Sequence, residues 1–309
     1  MTSSITSESP SVSINTHLIN SLVANEEFED LCFAFGLEIE IGTGAQLNLQ
    51  RINREGGSEN LSQKTVFKLE VAANRYDLLC LEGFSQAIKS YLGISPIPRL
   101  QIKNQIPALT KIIVKSETLE VRPFVVAAVL RNIKFDEQSF NSFIYLQDKL
   151  HQNICRRRTL GSMGTHDYDK VKGPITYEAK APKDIVFKAL KQTQEMNADE
   201  LFEVLKKDQK LKKFLDILEG KPKYPVFYDA EGKVLSLPPI INSEATKITF
   251  DTKNVLIEIT GTDLHKIEVC LAVLAGQFSS HCEGDSQFTI EQVEIVHEAT
   301  GKSEVFPNL

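Results

Sequence analysis

Tryptophan is absent from the 309 residues, and methionine occurs only three times. The five cysteines (Cys32, Cys80, Cys155, Cys270 and Cys282) are odd in number and widely spaced. No pair has metal-ligand or redox spacing, so a disulfide framework is not expected and the thiols read as reduced. Missing too is any apolar run near the roughly 18 residues that a membrane span needs. Basic residues do not dominate: Lys plus Arg total 35 against 41 Asp plus Glu, a net charge of -6. A surface that coats nucleic acid everywhere is basic, so any nucleic-acid contact must be a local patch. The opening MTSSITSESPSVSINT has neither a basic stretch nor an apolar core, unlike a secretory signal. It reads as a disordered polar leader.

What is present is ordinary for a globular chain: 42% hydrophobic and 25% charged residues. The length points to two domains. Asn15–Val23 is a short helix candidate. Asn25 can cap a second helix, EEFEDLCFAF, stopped by Gly36. From Gly42 to Gln63 the chain reads as a loop, and its GTG lacks the strand and GKS or GKT of a phosphate cradle. Val66–Val71 alternates like a strand. Asp77 reads as the cap of a helix with Leu78, Leu81, Ile88 and Leu92 inward, stopped by Gly93. The prolines of SPIPRL end this unit, and a boundary is expected between Ile94 and Thr110.

The second unit opens with strands at Ile112–Val114 and RPFVVAAVLRNI. Asp136 can cap a helix with Phe140, Phe143, Ile144, Leu150 and Ile154 inward. That helix is expected to end in Arg156, Arg157 and Arg158, which serve either helix termination or a phosphate contact. LGSMGTHDYDKVKGP reads as a loop. Asn197 and Glu200 form a capping-box pattern for a helix to about Leu218. YPVFYD, KVLSLPP, TKITFD and NVLIEIT are strand candidates with turns between them. Asp263 starts a long helix with Leu264, Ile267, Leu271 and Leu274 inward, and Phe288–Val296 is the last strand. The expected class is α+β: a small N-terminal α/β domain, then a larger mixed α+β domain. The expected extents are 1–11 for the leader, 12–105 and 106–309, with the last strand a candidate to pack on the N-terminal domain.

Three segments carry chemistry. In NVLIEITGTD, Val255, Ile257 and Ile259 share one face, and Leu256, Glu258 and Thr260 the other. Both faces are apolar early in the run, as in an interior strand, where a carboxylate is costly unless paired or bound. The alternative is a strand end that has already reached solvent. SLPPIIN combines two prolines with Asn242 at a turn: a rigid wall, or a plain loop. GTHDYD sets His166 beside Asp167 and Asp169, but no second His or Cys stands at ligand spacing, so no metal site is expected. A serine-nucleophile elbow is also missing.

NRYDLLCLEG, RPFVVAAVLRNIKF, LHQNICRRR, GTHDYD, LSLPPIIN and EITGTD occur in an order that resembles the beta subunit of eukaryotic and archaeal phenylalanyl-tRNA synthetase, over about Val12 to Val305. The resemblance implies an N-terminal domain followed by a domain that edits mischarged tRNA. It also implies that this chain is an N-terminal fragment of a ligase component acting in the cytoplasm in protein biosynthesis. The synthetic site, which uses ATP and magnesium, then lies in the alpha subunit, and this part needs no cofactor of its own. The implied partners are the acceptor end of tRNA(Phe) and that alpha subunit, with no membrane.

An apolar synthetic pocket rejects the extra hydroxyl of tyrosine only modestly, so a second, hydrolytic sieve is required. The resemblance assigns the contact with tyrosine to Glu258. Around it fall Thr260, Gly261 for close backbone approach, Ser236, Pro238, Pro239, Asn242 and, near the acceptor end, His166. Arg156, Arg157 and Arg158 are the implied tRNA contacts. No nucleophile is evident, so hydrolysis falls to a positioned water assisted by the tRNA's terminal ribose. The competing reading is a non-catalytic tRNA- or subunit-binding module, in which Asn74 and Asp77 are caps and Arg75 pairs with a nearby acid.

Overall fold

The computed structural model of the protein describes residues 11–15, 25–43, 65–103 and 110–308. The chain forms two compact units, Met1–Ile97 and Pro98–Leu309.

The first unit has an antiparallel sheet of β1 (Ser11–Asn15), β2 (Glu38–Thr43) and β3 (Thr65–Glu70), with β3 in the middle. β1 falls within the expected polar leader, and β2 was not foreseen. Both are short edge strands paired with β3, and both alternate polar with apolar residues, SVSIN and EIEI. α1 (Asn25–Phe35) ends at Gly36, whose φ of +86° only glycine adopts cheaply. The expected helix at Asn15–Val23 and the loop after Thr43 lie largely outside the described residues.

α2 (Leu81–Tyr91) is capped by Cys80, whose Sγ accepts from the Gly83 N–H at 3.5 Å. Asp77 is therefore not its cap. It forms an ion pair with Arg75 at 2.7 Å, because the Tyr76–Leu78 turn intervenes before the helix. Leu92 is exposed rather than inward, since the helix has already ended. Phe28, Cys32, Leu69, Leu78 and Phe84 are buried, with Phe28 and Phe84 edge to face at 6.2 Å.

The second unit is built on an eleven-stranded sheet. Its strands in chain order are β4 (Gln101–Lys103), β5 (Thr110–Val114), β6 (Phe124–Leu130), β7 (Gly161–Asp167) and β8 (Ile175–Lys180). A separate ribbon of β9 (Val186–Phe187) and β10 (Met196–Asn197) follows. Then come β11 (Tyr224–Tyr228), β12 (Val234–Leu237), β13 (Ile241–Asn242), β14 (Val255–Gly261), β15 (Thr289–His297) and β16 (Lys302–Phe306). The main path runs β13-β12-β11-β8-β5-β15-β6-β14-β7, with β4 and β16 paired to other stretches of β15. The last strands thus belong to the second unit's own sheet. The two ends of the path meet: the Asn242 Nδ2 group of β13 donates to the Thr165 carbonyl of β7 at 3.4 Å.

α3 (Glu137–Gln152) carries the expected Asp136 cap, reinforced by Ser139 in a reciprocal box. Phe143 and Leu150 are inward, but Ile144 is exposed, lying off the buried stripe. The helix stops at Gln152, short of the arginines. Arg156, Arg157 and Arg158 instead form a left-handed turn with φ of +43°, +53° and +68°. Such backbone costs about 1–2 kcal/mol per non-glycine residue, so the triplet is not a helix end.

α4 (Ala198–Leu205) has the Asn197–Glu200 capping box but ends well before Leu218; a separate 3₁₀ turn covers Lys212–Ile217. α5 (Leu264–Phe278) is capped by Asp263. It covers the face of β14 bearing Val255, Ile257, Ile259 and Gly261, and its Phe278 meets Phe143 of α3 at 4.7 Å. Ile267, Leu271 and Leu274 are buried, as the spacing requires.

Two segments reverse the sequence-based expectation. Gly161–Asp167 is a fully buried strand, not a loop. Its glycines and serine resemble turn chemistry, but full antiparallel pairing with β14 overrides that local signal. Conversely, TKITFD is a loop rather than a strand. Its polar groups bind locally and across to β7, with the Asp167 N–H donating to the Thr246 carbonyl at 2.8 Å and Thr249 N to Thr252 Oγ1 at 2.9 Å. The five cysteines are unbridged and buried. Among the described residues no helix is long and apolar enough to cross a membrane.

His151, in the last turn of α3, accepts the Met163 N–H of β7 through Nε2 at 2.8 Å. Burial, then the charges of Arg158 and Arg122, hold its pKa well below the ordinary 6.5. Below pH 6.5 the unfolded chain binds a proton at His151 that the folded chain refuses, so stability is lost on acidification. Urea unfolding between pH 7 and pH 5 is expected to decline by up to about 1.4 kcal/mol per pH unit more steeply for the parent than for His151→Gln. Parallel pH profiles would contradict this.

A Cβ at Gly261 would lie 2.5 Å from the Leu160 carbonyl oxygen and 2.6 Å from Ile267 Cγ2. Backbone cannot yield as a flexible side chain does. Gly261→Ala is expected to lower stability by about 1–3 kcal/mol, read from the shift of the urea midpoint.

Candidate functional site

Strand β14 lies between β6 and β7, and all seven of its residues are buried. With α5 covering one face, the other presents Leu256, Glu258 and Thr260 beside His166, Gly164 and Ser162 of β7. Glu258 is 2% exposed, so the interior-strand reading holds and the solvent-end alternative fails. Directly opposite it stand Gly164 on one neighbour and Ala127 on the other. Their small side chains leave the room that the carboxylate occupies. A Cβ at Gly164 would fall 2.1 Å from Glu258 Oε1 and 2.8 Å from its Cδ.

Closure of the sheet brings β12 over this face. Ser236 Oγ donates to Glu258 Oε1 at 2.8 Å. His166, wholly buried, places Nε2 at 3.6 Å from the same oxygen, just beyond hydrogen-bonding reach. Its Nδ1 is 2.8 Å from Thr246 Oγ1. If the Thr246 hydroxyl donates to Nδ1, the ring N–H sits on Nε2 and faces the carboxylate. Glu258 Oε2 and His166 Nε2 are buried and make no hydrogen bond among the described residues. Burial raises the Glu258 pKa, while His166, the Ser236 hydroxyl and Arg122 oppose the rise.

Arg122 is the second polar centre of this interior. Its Nε and Nη2 groups donate to Thr260 Oγ1 at 3.2 Å and to the Thr260 carbonyl at 2.9 Å. Nη1 reaches the carbonyls of Arg158 at 3.3 Å and Thr159 at 3.4 Å. Its own carbonyl accepts from Tyr177 at 2.9 Å. Ser162 lies 3.3 Å from Thr260 Oγ1. Thr260 is thus on the Glu258 face but committed to Arg122 and Ser162.

The sequence-assigned residues therefore separate. Glu258, Ser236 and His166 come together. Asn242 fastens β13 to β7. Pro238 and Pro239 form the turn between β12 and β13, and the Pro239 carbonyl accepts from Arg158 at 3.0 Å. Gly261 lies on the opposite face of β14, and the close approach it permits is by Leu160 and Ile267 of its own chain. Arg156 and Arg157 are exposed, whereas Arg158 is turned inward.

Sequence reasoning missed Gly164, Thr246, Ser162 and Arg122. Gly164 stands two residues before His166, a spacing that shares a face once the segment is a strand, but the loop reading hid it. His166 is a strand residue, not a loop histidine. Among the described residues no group of three His, Cys, Asp or Glu could hold a metal ion. Glu258 lines neither of two surface depressions of about 580 and 410 Å³. The first runs between Asn132 and Phe250, and the second lies at the start of α4.

A family model described as the Phe-tRNA synthetase beta subunit B1 domain matches residues 9–94, and one described as the B3/4 domain matches residues 108–270. The mouse phenylalanine--tRNA ligase beta subunit is 47% identical over 307 residues, covering 97% of this chain and 51% of that protein. The cytoplasmic phenylalanine--tRNA ligase beta subunit of Arabidopsis thaliana is 47% identical over 285 residues, covering 92% and 47%. The chain spans about half the length of these curated relatives. A solved N-terminal fragment of the phenylalanyl-tRNA synthetase beta subunit from Pyrococcus horikoshii superposes with a TM-score of 0.79 at 31% identity, covering 97% of this chain and 80% of that fragment. With both units matched in order and the fold shared, the chain belongs to the phenylalanyl-tRNA synthetase beta-subunit family and corresponds to its N-terminal region.

Proposed function

We propose that the second unit hydrolyses tyrosine mistakenly attached to tRNA(Phe), selecting tyrosine through Glu258. The observation that carries this reading is Glu258 Oε2, a buried carboxylate oxygen with no hydrogen bond among the described residues. A buried acceptor left unmade costs about 1–3 kcal/mol, and a phenolic hydroxyl is a donor that would satisfy it. Ser236 fixes the other oxygen and leaves Oε2 as the accepting one. Gly164 leaves the room that the carboxylate itself occupies. His166 stands ready to hold a proton or a water near the bound group. Among the described residues no Ser-His-Asp arrangement stands beside Glu258, so the attacking group in this reading is a positioned water helped by the tRNA's terminal ribose.

The carboxylate is nearly sealed, so a tyrosyl group must displace the β12–β13 turn or the Thr246–Thr252 loop to reach it. In the same reading the unit works within a longer beta subunit paired with an alpha subunit. That assembly acts as a ligase in protein biosynthesis, its synthetic step using ATP and magnesium away from this chain. A cytoplasmic setting is the matching proposal, in line with the name of the Arabidopsis relative. Closure around Glu258, at 2% exposure, favours a second reading: a non-catalytic module that binds tRNA or a subunit.

Calorimetry separates the readings. The parent chain is expected to bind tyrosine at least about tenfold more tightly than phenylalanine, because a charge-assisted hydrogen bond contributes roughly 1.5–3 kcal/mol. Glu258→Gln removes the charge and is expected to erase most of that preference. Equal affinities in the parent, together with no release of tyrosine from tyrosyl-tRNA(Phe), would leave only the binding module.

Gly164→Ala supplies a second, independent check. Its Cβ must push the Glu258 carboxylate aside. Tyrosine affinity is expected to fall about tenfold or more in a chain that still melts cooperatively. Unchanged affinity would remove Glu258 from the pocket.

A further inference from the structure

The arginine triplet divides into one strut and two free cations. Arg158 donates to the carbonyls of Pro239 at 3.0 Å and Ile240 at 2.9 Å, and its guanidinium lies over the Phe214 ring at 4.4 Å from the centroid. The same ring carries Lys213 at 5.3 Å. Arg158 therefore joins three segments: its own left-handed turn, the 3₁₀ turn that bears Lys212 and Lys213, and the Pro238–Pro239 turn that follows Ser236. Arg156, Arg157, Lys212 and Lys213 are all exposed. None has a carboxylate within ion-pairing distance among the described residues, whereas the neighbouring Lys206 is paired with Glu203 and Glu219.

We propose that Arg156, Arg157, Lys212 and Lys213 form one phosphate-binding surface for the single-stranded end of an RNA. Arg158 attaches this surface to the turn beside Ser236. The inference rests on the editing reading for the identity of the RNA, and extends it to residues that stand between 45 and 102 positions before Glu258 in the sequence. Three features favour RNA as the occupant. The chain's net charge of -6 repels a polyanion in general, so unpaired cations gathered from two turns create a local exception. Guanidinium forks suit phosphate oxygens. The Pro239 and Ile240 carbonyls held by Arg158 lie directly after the strand that reaches Glu258, so RNA bound here has its end beside that site.

The test is binding of uncharged tRNA(Phe) to the whole chain, followed by fluorescence anisotropy across a salt series. No tyrosine and no hydrolysis enter the measurement, so it can fail without the editing reading failing, and the reverse. Asparagine tolerates left-handed backbone, so the turn is tested with Arg156→Asn and Arg157→Asn together. Lys212→Ala with Lys213→Ala tests the other turn. Each pair is expected to reduce the slope of log K against log salt by about 1.4, from roughly 0.7 per lost phosphate contact on a single strand. Arg156→Lys with Arg157→Lys should keep the parent slope, and Lys183→Ala with Lys253→Ala, exposed cations elsewhere, should leave it unchanged. An unchanged slope in both pairs, an equal fall in the Lys183 and Lys253 control, or no binding of tRNA(Phe) by the parent chain would overturn the proposal.

Discussion

The site depends on one closure. A nine-strand path brings β13 back to β7, and the Ser236–Glu258 hydrogen bond spans the interior that this creates. Without the closure Glu258 would face solvent from an edge sheet. With it, the carboxylate is removed from water, and only one of its oxygens is matched. Burial of an acid in this manner is unfavourable on its own. The surrounding strands tolerate it because Ser236, His166 and Arg122 all favour the ionised form that burial opposes. The same arrangement leaves an acceptor oxygen without a hydrogen-bond partner among the described residues, which is why the interior reads as a place for a ligand's donor.

Arg122 plays the corresponding part for positive charge. It is 1% exposed and makes no hydrogen bond to a carboxylate; its donors go to Thr260 and to the carbonyls of Arg158 and Thr159. Those carbonyls are available because the arginine turn is left-handed. An ordinary helical continuation of α3 would have spent them on its own ladder. The strain of three positive φ angles is thus tied to a buried guanidinium that needs acceptors, and the same turn directs Arg156 and Arg157 outward. Interior electrostatics and exposed surface are consequences of one piece of backbone.

Fold and site are also coupled through small residues. Gly261 and Gly161 let the β14–β7 pair approach Ile267 of α5, while Gly164, on the other face, makes room for Glu258. A strand with this many small residues has little intrinsic preference for extended backbone. It persists because it is paired along its whole length with an apolar interior strand. That dependence explains why a segment with the composition of a loop forms a wall of the candidate site.

The sequence alone determined the elements whose signals are local. Asp136, Asn197 and Asp263 are helix caps because a short polar side chain reaches its own N3 amide. Gly36 and Gly93 stop helices because their φ is positive. NVLIEIT is interior because both of its faces are apolar, and the ordered motifs from NRYDLLCLEG to EITGTD carried the family. Only the tertiary structure decided the rest. β7 exists through pairing with β14, and TKITFD is a loop because its polar groups are used by β7. Ser236 meets Glu258 only when the sheet closes, and Arg158 separates from its two neighbours only when a buried set of carbonyls draws it inward. Caps, stops and periodicity act over three or four residues. Closure, pairing and the satisfaction of buried charge act between residues that the chain brings together only by folding.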